Sequence, residues 1–162
     1  MTTVNNFTSY FNKGIGQANY FETFWSGGGV SSEHLSKTCK TISIPGITLT
    51  DGVYDGRKFA VGYDFDSFSA TFYIDAEGKT AKEFQRWSNA IYNQETGKFG
   101  WKDDYTCTTE VKLYTKNLST YNTIKIQNVF PVNISPIEMS WDTENTLLEI
   151  SVSFDFDNYK MT

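Results

Sequence analysis

The side chains of this chain that could do chemistry are few, and their spacing argues against most of it. His34 is the one histidine, and Cys39 and Cys107 are the two cysteines of 162 residues. A nucleophilic triad holds a serine against an imidazole that a carboxylate orients. Serines surround His34, but the Gly-x-Ser-x-Gly elbow is missing. His34, Cys39 and Cys107 do not stand at zinc-site spacings. Both cysteines fall in expected strands, where a small half-buried residue is their ordinary role, and two cysteines make no disulfide framework. Residues 26–32, SGGGVSS, lack the Gly-Lys-Ser/Thr ending of a phosphate loop and read as a flexible connector.

Carboxylates come closest to a catalytic set: Asp64 with Asp66, Asp103 with Asp104, and Asp155 with Asp157. Glycoside hydrolysis needs two carboxyl groups about 5–10 Å apart across a sugar cleft. Asp155 and Asp157 on one strand would stand roughly 7 Å apart. Alternation of that kind is also what a solvated strand face shows. The expectation is therefore no catalytic residue, no metal and no cofactor. A carbohydrate-binding β-sandwich is the alternative from another class.

The elements that would carry these residues are mostly strands. Aromatic residues make up 17% of the chain, and strands and large contact surfaces are where they concentrate. A formal charge of −5 argues against gripping nucleic acid by its phosphates. No apolar run approaches the ~20 residues of a membrane span. The length suits one domain over residues 1–162. Residues 1–17 read as a flexible arm, 19–25 as a strand, 26–34 as a loop and 37–44 as a second strand that Pro45-Gly46 ends. Residues 46–62 contain Asp51-Gly52 and Asp55-Gly56, dipeptides suited to tight turns. They read as an extended hairpin or loop whose Ile47, Leu49, Val53, Tyr54, Phe59 and Val61 exceed what a solvated loop needs. Residues 67–75 alternate cleanly, and GYDFD before them reads as a continuation of that strand after a bulge. Only residues 80–93 change period: Ala81, Phe84, Trp87 and Ile91 recur at helical spacing, and Thr80 with Glu83 matches a capping box. Further strands are expected at 106–115, 121–129, 137–141 and 147–157. Strands surrounding one helix, with no regular βαβ alternation, predict a mainly β fold. It is an antiparallel sandwich or barrel, with Phe84, Trp87 and Ile91 packing the helix on a sheet.

Residues 128–159, NVFPVNISPIEMSWDTENTLLEISVSFDFDNY, resemble the tail tube protein of contractile-tailed, T-even-type myovirus phages. The resemblance rests on Phe130-Pro131, on Trp141-Asp142 at a strand end, and on the alternation from Ile150 to Phe156 closing at Tyr159. ANYFETFW, LSKTCKTISIPG, and RKFAVGYDFDSFSATFYID followed by KEFQRWS are similar to the family's earlier elements in the same order. SGGGVSSEH looks longer than the family's first turn.

The resemblance implies a structural virion protein and no enzyme. Hexameric rings would share strands in an inner β-barrel and stack into a tube inside the contractile sheath. The hairpin with Ile47, Leu49, Val53, Tyr54, Phe59 and Val61 would reach a neighbouring subunit or ring. Ser67, Ser69, Thr71, Thr123, Lys125 and Gln127 are the lumen-facing candidates. The partners implied are other copies, the tail sheath protein, and baseplate and tail-terminator proteins. DNA would pass through the lumen without sequence-specific binding. The location implied is the virion tail tube, assembled in the host cytoplasm. The alternative within this class is the tube of a related contractile injection system, or a baseplate tube initiator.

Overall fold

The structure, a computed structural model, describes residues 18–30, 32–142 and 146–162. The arm expected at residues 1–17 lies outside the described residues. The ordered elements are β1 (Phe21–Gly27), α1 (Ser32–Thr38), β2 (Cys39–Ile42), β3 (Ile47–Tyr54), β4 (Arg57–Phe65), β5 (Phe68–Tyr73) and α2 (Lys79–Ile91). They continue as β6 (Tyr92–Asn93), β7 (Lys98–Phe99), α3 (Lys102–Tyr105), β8 (Cys107–Tyr114), β9 (Thr120–Ile134), β10 (Glu149–Asp155) and β11 (Asn158–Met161).

One antiparallel sheet runs β1-β8-β9-β10-β5-β2, with β11 also on β9. It folds into two layers because β9 bends. The first part of β9 pairs with β8 and β11, and its last part pairs with β10. The bend passes through Asn128, which takes the left-handed conformation at φ 57. The strand expected at 121–129 runs on to Ile134. Within it Pro131 sits opposite Phe154 beside a register shift in β10, a place where the missing N–H is tolerated. The expected strand at 147–157 is β10 over Glu149–Asp155, and a further strand, β11, follows it from Asn158. Phe156 and Asp157 form a corner, after which β11 crosses to the other layer. Phe156 is buried against Phe65, Phe68 and Tyr159, which turns the chain out of the straight alternation.

The core fills from period-2 strand faces. Phe68, Ala70 and Phe72 of β5 and Ile150, Val152 and Phe154 of β10 face Trp25, Val111, Ile124 and Ile126 of the other layer. Helix α2 buries Phe84 and Trp87, with Ile91 half-buried. Phe84 lies 5.0 Å from Phe72, and Trp87 lies 5.8 Å from Phe154 and 6.4 Å from Trp25. The helix therefore closes the core between both layers.

The start of α2 corrects a second reading. Thr80 is not a cap but lies inside the first turn, fully buried. Its hydroxyl donates to the Tyr73 carbonyl at 3.0 Å and lies 2.9 Å from His34 Nε2. Asp75 accepts from the Thr80 N–H at 3.3 Å, and Glu83 pairs with Arg86. The capping box is thus replaced by a carboxylate five residues upstream, with His34 tied to the same spot.

Residues 32–38 form α1 where a loop and then a strand were expected. Leu35 is the one apolar residue among these seven, so no period was there to read. Glu33 and Lys37 pair at 2.5 Å one turn apart, and Leu35 is wholly buried. The expected strand at 137–141 has no ladder partner, and Met139 and Trp141 stand in solvent.

Within SGGGVSS residues 27–30 form a tight turn, closed by the Val30 N–H donating to the Gly27 carbonyl at 3.1 Å. Gly27, Gly28 and Gly29 all take positive φ, which side chains rarely adopt. A Cβ on Gly28 would lie 2.7 Å from the Tyr105 carbonyl oxygen, the atom that accepts from Trp87 Nε1 at 2.6 Å. Gly28→Ala is expected to cost about 1–3 kcal/mol. A lower denaturant midpoint at unchanged slope checks it.

Candidate assembly surface

The arm formed by β3 and β4 leaves the body beyond Phe65. Its two strands pair only with each other. The turn is Asp55-Gly56, with φ 49 and 70, the pattern of a tight hairpin turn. Asp51-Gly52 is not a turn: the ladder shifts register there, giving β4 one extra residue. A Cβ on Gly52 would come within 2.8 Å of Val61 Cγ1, so the glycine makes room for that bulge. GYDFD belongs to this arm rather than to β5, since β4 runs on to Phe65.

Residues opposite each other on an antiparallel ladder share a face. Ile47 faces Phe65 and Leu49 faces Tyr63, while Gly52 faces Phe59 and Tyr54 faces Arg57. Ile47, Leu49 and Val53 therefore lie on one side of the arm, and Tyr54 and Phe59 on the other. Both sides are wet: Leu49 is 62%, Val53 66%, Tyr54 75% and Val61 64% exposed. Tyr63, absent from the sequence candidates, is exposed to the same degree. Its period-2 relation to Phe65 within GYDFD was the available signal. Only Phe65 anchors the arm, with ring centroids 5.3 Å from Phe156 and 5.4 Å from Tyr159. A two-stranded ribbon alone is marginally stable in water, and a bare apolar arm is a surface built to be covered.

The polar faces divide into two sets. Ser69 and Thr71 lie on the outer face of the β2-β5-β10 layer, with Ser67 at the exposed turn before β5. Thr123, Lys125 and Gln127 lie on the outer face of the β1-β8-β9-β11 layer. The first face is hydroxyl-rich, with Thr71 Oγ1 3.2 Å from Ser151 Oγ and the Ser43 hydroxyl donating to the Ser69 carbonyl; its charges are the Lys40–Glu149 pair at one end and Asp155 at the other. The second carries Glu22, Glu110, Lys112, Lys125 and Lys160, with Lys125 3.9 Å from Glu110.

Two of the three acid pairs are engaged in local hydrogen bonds, while Asp103 and Asp104 stand exposed in the short helix α3. Asp64 accepts from the Phe65 N–H, Asp66 from the Thr48 hydroxyl, and Asp155 from the Phe156 N–H. Asp157 accepts from Lys102 at 2.5 Å and from Asn128 at 2.8 Å. Asp155 ends β10 and Asp157 sits on the corner, so the two do not line one strand face. Burial pushes the thiol of Cys39 up to about 11 and that of Cys107 to about 12, away from nucleophilic use. Among the described residues no cluster of three metal-ligating side chains occurs and no helix is long and apolar enough to cross a membrane.

The Asp157 carboxyl is held below its ordinary range by the hydrogen bond from Lys102, then by that from Asn128. Its stabilisation is present above the unfolded value and lost as pH falls through the lowered folded value. The pair is half in water, so the effect is small. Thermal midpoints of wild type and Asp157→Asn should differ by a constant amount near neutrality and converge below about pH 4.

The comparisons agree with this arrangement. Among curated proteins none matches the chain. A chain in the extended-state sheath/tube terminator of an extracellular contractile injection system, PVC, is similar at TM-score 0.66 and 15% identity. The match covers 90% of this chain and 95% of that one. A chain in the anti-feeding prophage baseplate gives 0.63 at 10% identity, covering 91% and 95%. Hcp1 from Salmonella typhimurium gives 0.52 at 13%, covering 88% and 85%. These likenesses establish the fold. The family model described as phage tail tube protein matches residues 2–162, and with nearly the whole sequence accounted for, the chain belongs to the phage tail tube protein family.

Proposed function

We propose that copies of this chain form hexameric rings that stack into the inner tube of a contractile phage tail, the conduit through which DNA enters the host. The observation that carries this is the exposed apolar arm, in a chain whose family builds tubes. Its Leu49, Val53, Tyr54 and Val61 stand in water in the lone subunit. Each would contribute roughly 1.5–3 kcal/mol of transfer energy once buried between copies. Sharing strands around a ring also removes the open edges at β1 and β2.

Of the two polar faces, the hydroxyl-rich one bearing Ser67, Ser69 and Thr71 is the lumen lining we favour. Rings would multiply every charge on an inner wall. A wall with free lysines would grip phosphates, whereas this face carries hydroxyls, Asp155 and a single lysine, Lys40, that is paired with Glu149. The face with Thr123, Lys125 and Gln127 then turns outward, where paired Glu and Lys side chains suit contact with a sheath. Baseplate and terminator proteins would cap the ends, and assembly would take place in the host cytoplasm before the tube enters the virion.

The second reading is the tube of a contractile injection system, a particle type to which several chains of the same fold belong. Subunit and ring would be built alike, and the cargo would differ. Electron microscopy of the purified chain tests the assembly common to both. Packaging of DNA-ejecting particles by a tail lacking this chain would remove the phage reading.

A further inference from the structure

The arm pairs only with itself, and what sets its direction lies at its root. Pro45 is buried where the chain enters the arm. Across the root the Asp66 N–H donates to the Gly46 carbonyl at 3.0 Å, and the Asp66 carboxylate accepts from the Thr48 hydroxyl at 3.0 Å. The two strands close so tightly that a Cβ on Gly46 would stand 2.7 Å from Asp66 Oδ2. On the side of the body Phe65 enters a clamp of two rings. Its centroid lies 5.3 Å from Phe156 and 5.4 Å from Tyr159, which stand 6.1 Å from each other. One ring contact would leave a pivot, whereas two fix a direction. Tyr63 packs edge-on against Phe65 at 5.1 Å and carries the ring series out along the arm.

The body holds the clamp in turn. Phe156 meets Phe68 of the core at 5.8 Å, and Tyr159 stands opposite Ile126 in the ladder of β11 with β9. Between them the Asp157 N–H donates to the Gln127 carbonyl, and its carboxylate accepts from Lys102 and Asn128.

We propose that Phe65 is a positioning residue, whose clamp sets the direction of the arm in the free subunit so that the arm meets a neighbouring copy already ordered. The proposal rests on the tube reading above and adds how the arm is prepared for it. Preorganisation removes the ordering cost of association. An arm that held its docking direction a tenth of the time would associate about tenfold more weakly. The clamp also supplies what the ribbon lacks. Two strands alone are marginal in water, and β3 and β4 have no third strand, so freeing the root also lets the ladder open.

Hydrogen exchange on dilute, unassembled subunits tests it together with sedimentation. Phe65→Ala should speed exchange across β3 and β4 about tenfold or more and leave β5, β8 and β10 at the wild-type rate. It should raise the concentration needed for association about tenfold. Phe65→Tyr keeps a ring in the clamp and should restore both. Should Phe65→Ala fail to fold, Tyr159→Leu opens the clamp from the other side and is read in the same way. Arm exchange at the wild-type rate overturns the clamp. Exchange that speeds equally in the arm and the core strands reduces Phe65 to a packing residue and overturns its positioning role. Fast arm exchange with unchanged association also overturns that role and leaves the tube reading standing. Wild-type protein that never associates overturns the tube reading, and with it the use assigned to the clamp.

Discussion

Replacing Leu49 and Phe59 by Asp is expected to abolish tube formation and leave the subunit folded. Both side chains lie on the arm, 62% and 46% exposed, on opposite sides of its ladder. In the lone subunit the substitutions remove little packing, and exposed changes of this kind usually stay within about 0.5 kcal/mol. Two such changes should then move the thermal midpoint by no more than about 4 °C. Between copies the arithmetic differs. Two apolar contacts of roughly 1.5–3 kcal/mol each would be lost, and two carboxylates would be buried between copies. A loss of about 3–6 kcal/mol weakens each contact roughly 10²–10⁴-fold. Sedimentation should therefore show unstacked material at concentrations where wild type is polymeric. Unchanged polymers would mean that the arm is not an assembly element.

Phe154→Ala is expected to cost the most stability of any single substitution in the chain. Phe154 is wholly buried. Its ring lies 5.1 Å from Trp25, 5.2 Å from Phe68 and 5.8 Å from Trp87. It also reaches Phe84 and Phe72 at about 6.5 Å. It thus touches both layers and the helix that closes them. Truncation leaves a cavity bordered by rings that cannot all move in, at a cost of about 3–5 kcal/mol. The thermal midpoint should fall by roughly 6–20 °C. The neighbouring Val152→Ala, with less volume removed, should cost less. Equal losses at the two sites would show that Phe154 does not join the three parts of the core.

Much of this was legible because burial writes a period into sequence. Phe68, Ala70 and Phe72 alternate, and Phe84 and Trp87 keep helical spacing, since each element has one face to hide. The arm was legible for the opposite reason: it is apolar where turn residues promise solvent. What was hidden depends on partners far along the chain. Nothing within residues 32–38 shows that Leu35 has a slot waiting, so α1 was missed. The alternation from Ile150 to Phe156 runs through the corner, because Phe156 is buried both as a strand residue would be and as a corner residue is. Only Lys102 and Asn128, meeting Asp157 from other elements, show where the strand breaks. Ile137, Met139 and Trp141 had a strand's spacing without a neighbour to pair with. Met139 and Trp141 stand in solvent instead, while Ile137 is half-buried against the core. The two sets of lumen candidates looked alike as polar halves of strands. The bend at Asn128 is what sends them to opposite sides.

The most direct test of the assembly is negative-stain electron microscopy of the purified full chain across protein concentration and salt. The account predicts rings of six subunits with an open centre, stacking into hollow tubes as concentration rises. Monomers or closed dimers under every condition would contradict it.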